Sequence, residues 1–212
     1  LDKYGSSGKK RGRGIASGYW FNIGFKSHVN LALNTDGTVG LTEGSTDIGG
    51  TRAAISMQAA EVLGIPAEDV RPTVVDTDSI GYTDVTGGSR TCYATGYAAY
   101  LASQKLIQEI INRAALKWDI GEKEIIYENG IIRSKTDSEL NMTIKEFAGN
   151  SPGGPVTANA SVDLEEAGGG FGVHIADIEI DENTGKTDVI RYTAIQDCGK
   201  AIHPSYVEGQ LQ

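Results

Sequence analysis

The sequence predicts an α+β fold, a two-layer arrangement of a mixed sheet with two main helices. Three observations lead there. Residues alternate apolar and polar in segments near both chain ends, at 12–24, 27–34, 38–43, 171–180 and 186–196. Between them, two stretches switch to a helical period, at 51–63 and 91–118. The order is strands, helices, strands rather than a strict strand–helix alternation, which points away from a doubly wound sheet.

Each element follows from local signals. Asn34-Thr-Asp-Gly37 is a hairpin turn between the second and third strands. Ala53, Ile55, Met57, Ala60, Val62 and Leu63 give the first helix its apolar positions; Gly64 and Pro66 end it. Val70–Val75 is a short apolar strand, and 76–88 is a polar loop of a length that often carries function. Ser89 is the expected N-cap of the long helix, which runs past Ala98, Leu106 and Ile110 to Trp118. A hairpin at 124–133 turns on Glu128-Asn-Gly130, and 144–148 reads as a short helix. Residues 149–154, rich in Gly, Pro and Ser, form a domain boundary or an exposed loop; 181–185 joins the last two strands, and a helix starts near Pro204.

Composition narrows the function. With 19 Lys and Arg against 28 Asp and Glu, the net charge is −9. This argues against a nucleic-acid or membrane-surface partner, which needs clustered cations. The two cysteines, Cys92 and Cys198, make no CxxC pair and fit a reducing, cytoplasmic setting. A calcium loop at Asp76 fails because Ile80 and Gly87 stand where oxygen ligands are needed. No phosphate-loop or dinucleotide glycine spacing is present, and His28, His174 and His203 share no metal-ligand spacing, so no metal ligand is assigned.

Two glycine-rich loops open directly into the predicted helices: Gly49-Gly50-Thr51-Arg52 and Gly87-Gly88-Ser89-Arg90-Thr91. Unpaired N–H groups and the positive end of the helix dipole make such junctions anion sites, and Arg52 and Arg90 would add charge-assisted contacts to phosphate. The same residues also serve as ordinary turns and caps.

From Gly12 to Gln212 an ordered set of motifs resembles one family. These are Thr46-Asp-Ile-Gly-Gly-Thr51, Ala59-Ala-Glu-Val-Leu-Gly-Ile-Pro66, Val75-Asp-Thr77, Gly88-Ser-Arg90 and Ala94-Thr-Gly-Tyr-Ala98. The tail adds Asp197-Cys-Gly199, His203-Pro204 where the family usually has Asn-Pro, and Val207-Glu-Gly-Gln210. The set resembles the molybdopterin-binding large subunit of the molybdenum hydroxylases: xanthine dehydrogenase, aldehyde oxidoreductase and carbon monoxide dehydrogenase. The resemblance implies that 1–212 is a partial molybdopterin-binding domain, an internal fragment whose flanking parts lie elsewhere in the subunit. Gly49, Gly50 and Thr51 would face the molybdenum end of the cofactor. Ser89, Arg90, Thr91 and Thr95 would hold a phosphate or the cytidine portion, the cofactor being molybdopterin in a mononucleotide or cytosine dinucleotide form. Asp76 stands where purine-oxidising relatives carry an acidic residue near substrate.

The implied activity is an oxidoreductase hydroxylation of a heterocycle or an aldehyde, with water as oxygen source. Electrons would leave through iron–sulfur and FAD centres on other domains or subunits. Two departures qualify the likeness. Many relatives carry Gln at the position of Gly50, where it hydrogen-bonds an oxo ligand of the metal. The family's general base falls beyond Gln212, so no catalytic residue is assigned here and the chain alone is expected to be inactive. The rival reading is a stand-alone, non-catalytic pterin- or phosphate-binding module of the same fold.

Overall fold

The computed structural model describes residues 8–165 and 168–212. Its centre is a four-stranded mixed sheet. Strands β1 (Lys10–Phe21), β2 (Phe25–Leu33) and β3 (Val39–Glu43) come first, followed by helix α1 (Thr51–Leu63) and strand β4 (Val70–Val74). β2 and β3 pair antiparallel, while α1 carries the chain over so that β4 lies parallel to β3. The hairpin turn is closed as its sequence requires: Gly37 has φ 87°, and Asn34 N–H donates to Thr38 O at 2.8 Å.

Next come the one-turn helix α2 (Thr77–Ile80) and the long helix α3 (Thr91–Trp118). Strands β5 (Ile125–Glu128), β6 (Ile131–Ser134) and β7 (Asn141–Thr143) form a small antiparallel sheet. Its first hairpin turns on Asn129 and Gly130, both at positive φ. Helix α4 (Ile144–Gly149) starts at a reciprocal cap between Thr143 and Glu146.

Strand β8 (Val156–Leu164) completes the central sheet in the order β4-β3-β2-β8. Sequence reading misses β8, two of whose five inward positions are alanines, Ala158 and Ala160, which weaken the strand signal at its centre. Ahead of it, the 149–154 segment is fastened by Arg113, which donates to the carbonyls of Pro152 and Pro155 at 3.1 and 2.9 Å. The chain then returns to the same sheet.

The core lies between this sheet and the two main helices. Val29, Leu31, Val39, Leu41 and Ala160 face Ile55, Ala59 and Leu63 of α1 and Ala98, Ala102, Leu106 and Ile110 of α3. The small residues along α3 let it lie close to β2, β8 and α1.

The strands at the two ends of the chain do not join that sheet. β9 (Gly169–Ile180) pairs antiparallel with both β1 and β10 (Thr187–Asp197), giving a separate three-stranded arm. Arg13 and Asp177 pair across it at 2.6 Å. Ile15, Trp20, Phe171, Tyr192 and Ile195 stand more than half exposed on the arm. The last element, α5 (Pro204–Leu211), folds back onto the loop before α1. Among the described residues no helix is long and apolar enough to cross a membrane.

Candidate functional site

The first glycine loop leaves β3 and enters α1 through two left-handed residues, Gly49 at φ 60° and Gly50 at φ 79°. The start of α1 is already partnered. Asp47 Oδ1 accepts from Arg52 N–H at 3.0 Å, and its Oδ2 lies 3.3 Å from Arg52 Nε. Thr51 N–H donates to Ile48 O at 3.2 Å. A carboxylate thus occupies the place where an anion was expected, and Arg52 is committed to it.

The second loop behaves differently. Gly88 and Ser89 are both left-handed, at φ 67° and 57°. A Cβ on Gly88 would fall 2.4 Å from Ile23 Cδ1, so the Ile23 side chain would have to shift. Ser89, the expected N-cap, does not cap α3; the cap position is Arg90, which offers no side-chain acceptor. The N–H groups of Thr91, Cys92 and Tyr93 find no acceptor among the described residues. The N-terminus of this long helix is therefore the open, electropositive one.

Arg90 and Thr95 both lie buried beneath the loops. Arg90 is 1% exposed, and its guanidinium donates to Gly24 O at 2.8 Å, Asp84 O at 3.0 Å, Ser27 Oγ at 2.7 Å and Lys26 O. It points into the protein and pins the loops, leaving its charge turned away from the cleft. Burial lowers its pKa, opposed by Asp84. Thr95 is fully buried and shares hydrogen bonds with Ser27 Oγ and Ser45 Oγ, each 2.9 Å, so it joins the strands beneath both loops. Thr91 is 5% exposed and lines neither cavity.

The two loops open onto adjoining cavities. The larger, about 710 Å³, is lined by Ser89, Cys92, Tyr93 and Tyr97 of the α3 side, with Met57 and Gln58 of α1. The smaller, about 230 Å³, is lined by Gly49, Gly50, Thr51, His203, Tyr206 and Gln210. Cys92, Cys198, Lys200 and Ile202 line both and make them one cleft. Gly49, Gly50, Thr51 and Ser89 are thus brought together. Asp76 is not: its carboxylate accepts from Asp78 N–H at 2.9 Å, capping α2, and it lines neither cavity.

Sequence reasoning missed much of the cleft. Lys200, the cation facing both loops, follows the Asp-Cys-Gly motif, whose position after β10 was legible but whose return to α1 was not. Cys92 sits half-buried; burial raises its thiol pKa, and a hydrogen bond from Gln58 opposes this. Of the three histidines, His28 is partnered by Ser161 and Asn30, and His174 by Tyr192. His203 differs, because its Nδ1 is buried with no hydrogen-bond partner among the described residues. Such an orphan costs about 1–3 kcal/mol.

Comparison with known proteins bears on what the cleft serves. The family model described as the molybdopterin cofactor-binding domain matches residues 2–212. The chain is 28% identical over 191 residues to the xanthine dehydrogenase molybdenum-binding subunit of Escherichia coli O157:H7, covering 86% of this chain and 25% of that one. It is 30% identical over 161 residues to the carbon monoxide dehydrogenase large chain of Hydrogenophaga pseudoflava, covering 72% of this chain and 20% of that one. Among solved structures it resembles a Cu,Mo carbon monoxide dehydrogenase, with TM-score 0.81, 26% identity, and coverage of 95% of this chain and 28% of the other. Quinoline 2-oxidoreductase of Pseudomonas putida 86 shares the fold, with TM-score 0.79 at 24% identity, over 97% of this chain and 29% of its own. The chain spans about a quarter of the length of these relatives. With nearly every residue matched, it belongs to the molybdopterin cofactor-binding domain family, the family of the large subunits of xanthine dehydrogenase, aldehyde oxidoreductase and carbon monoxide dehydrogenase.

Proposed function

We infer that this chain forms one wall of the cofactor cleft in a molybdenum hydroxylase that oxidises a heterocycle or an aldehyde with water as oxygen source. The observation that carries this reading is the continuity of the cleft from the Gly49–Thr51 loop to the open N-terminus of α3. The residues fit a pterin phosphate. Free N–H groups at Thr91, Cys92 and Tyr93 with the Ser89 hydroxyl suit an anion, and Lys200 supplies charge.

In this assignment Gly49, Gly50 and Thr51 line the metal end, Ser89 and the Thr91 backbone hold the phosphate end, and Arg90 and Thr95 fix the loops from behind. The bound cofactor supplies the redox chemistry; the chain binds it, orients it and excludes water from its edge. Asp76 would act on substrate only if a segment outside this chain carried substrate to it. The general base, the iron–sulfur and FAD centres and the substrate funnel come from other parts or partners in a reducing, cytoplasmic setting. The exposed apolar residues of the arm suit burial against the rest of the large subunit.

The test is metal and pterin content of the full polypeptide, wild type against Ser89→Gly. Glycine relaxes φ 57° while deleting the hydroxyl. Wild type is expected to carry molybdenum and pterin together, and the variant to fold but retain several-fold less. Pterin bound without turnover in the intact protein would favour the non-catalytic module instead, and wild type without pterin would remove both readings.

A further inference from the structure

The two glycine loops are joined from beneath by a line of buried polar side chains. Ser27 of β2, Ser45 and Thr95 of α3 are fully buried, and Glu43 and Arg90 are each 1% exposed. Arg90 Nη2 donates to Ser27 Oγ at 2.7 Å. Ser27 Oγ and Thr95 Oγ1 lie 2.9 Å apart, as do Thr95 Oγ1 and Ser45 Oγ. Ser45 N–H then donates to Glu43 Oε2 at 2.5 Å. A guanidinium only donates, and this sets the direction of the hydroxyl bonds. Ser27 accepts from Arg90 and so donates to Thr95, its one other side-chain partner among the described residues; Thr95 in turn donates to Ser45. The loops are also tied nearer their tips, where Thr46 N–H donates to Thr86 Oγ1 at 2.9 Å.

We propose that Thr95 is a positioning residue of this protein, its hydroxyl fixing the Gly49–Thr51 loop at a set spacing from the N-terminus of α3 through Ser45 on one side and Ser27 with Arg90 on the other. This rests on the cofactor reading of the cleft given above. Thr95 lines neither cavity, so it acts through these neighbours. Ser45 stands at the root of the first loop, four residues before Gly49, and Arg90 stands at the cap of α3. A ligand held at both ends needs both roots in register, and groups that contact it are only as well placed as the buried bonds behind them. These hydroxyls are out of reach of water, so removing the middle one leaves both neighbours without a partner.

The experiment compares the full polypeptide with Thr95→Val and Thr95→Ser. Val keeps the shape and removes the hydroxyl; Ser keeps the hydroxyl and removes the methyl. Two quantities are read: pterin per polypeptide, released and oxidised to its fluorescent form, and the melting midpoint of cofactor-stripped protein. Retention is measured at a temperature well below every midpoint. Both variants are expected to melt below wild type, Val because Ser27 and Ser45 lose a partner, Ser because a buried methyl is gone. Retention is expected to follow the hydroxyl instead, about tenfold lower in Thr95→Val and within about twofold of wild type in Thr95→Ser. Full retention of cofactor in Thr95→Val would overturn the role of Thr95 and leave the site reading standing. Loss in Thr95→Ser as deep as in Thr95→Val would also overturn it, since packing rather than the hydroxyl would then set retention. If Thr95→Val does not fold, Ser45→Ala takes its place, removing the hydroxyl on the first-loop side alone; the same loss is expected, and full retention would overturn the proposal. Absence of pterin from wild type would overturn the inference and the site reading together.

Discussion

Arg90 Nε donates to the carbonyl of Gly24 at 2.8 Å, and through this bond the start of α3 is tied to the corner between β1 and β2. Three further acceptors, Asp84 O, Lys26 O and Ser27 Oγ, surround the same guanidinium. An arginine that looked like a phosphate clamp is thus the fastener that shapes the Gly88–Ser89 loop. Its contribution to binding is indirect, through the loop it holds.

Arg90→Met is therefore expected to act on stability first. Removing the guanidinium leaves several buried acceptors unpaired, a loss of about 3 kcal/mol. The melting midpoint should fall by about 6–12 °C. Arg90→Lys should recover little, because one ammonium does not reproduce the planar fork. Calorimetry checks both; an Arg90→Met protein that melts like wild type would refute the fastener role.

Gly50 and Tyr206 should be energetically coupled. Gly50→Ala meets both the Tyr206 ring and a φ of 79°, with an expected cost of about 2 kcal/mol. In Gly50→Ala/Tyr206→Ala the steric part is relieved and the backbone part stays, so a double-mutant cycle should show coupling of about 1 kcal/mol. Additive effects would mean that α5 moves aside freely.

These pairs show where sequence reasoning reached and where it stopped. The helices at α1 and α3 were legible because their apolar period and flanking glycines are local signals. Gly49, Gly50 and Ser89 were legible for the same reason: a glycine-rich run that opens a helix announces itself. The direction of Arg90 was not, since it depends on carbonyls at Gly24 and Lys26 more than sixty positions away. Nor was the place in the cleft of Cys198, Lys200 and His203, which come back to α1 only through the pairing of β9 with β1 and β10. β8 escaped because alanines at its inward positions carry little strand preference, although they suit a sheet packed closely under α3.

Glu43 gives a pH signature. It is 1% exposed at the end of β3, and burial raises its pKa above 4.5, opposed by donation from Ser45 N–H at 2.5 Å. The folded state thus holds the proton more tightly than the unfolded state does. Stability is favoured below the unfolded-state value and falls as pH rises from there through the folded-state value. Glu43→Gln removes the ionisation, so its stability relative to wild type should increase from pH 4 to pH 8. Chemical-denaturation midpoints across that range test this; a difference that stays flat or reverses would contradict it.

Cys92 and Cys198 report on occupancy, since each lines both cavities. In cofactor-stripped protein Cys198, exposed, should be alkylated at neutral pH about tenfold faster than Cys92, whose burial keeps it in the thiol form. In loaded protein both should be protected. Peptide mapping after iodoacetamide treatment checks the order, and unchanged rates on loading would place the ligand elsewhere.

The central claim is that the Gly49–Thr51 loop and the open N-terminus of α3 border one cofactor cleft. The most direct measurement is a crystal structure of the loaded full polypeptide, with anomalous scattering collected at the molybdenum edge. The expected map shows the metal on the Gly49–Gly50 side and a phosphate within hydrogen-bond reach of the Ser89 hydroxyl and the first N–H groups of α3. Metal density away from this cleft, or protein chain filling the cleft in its place, would contradict it.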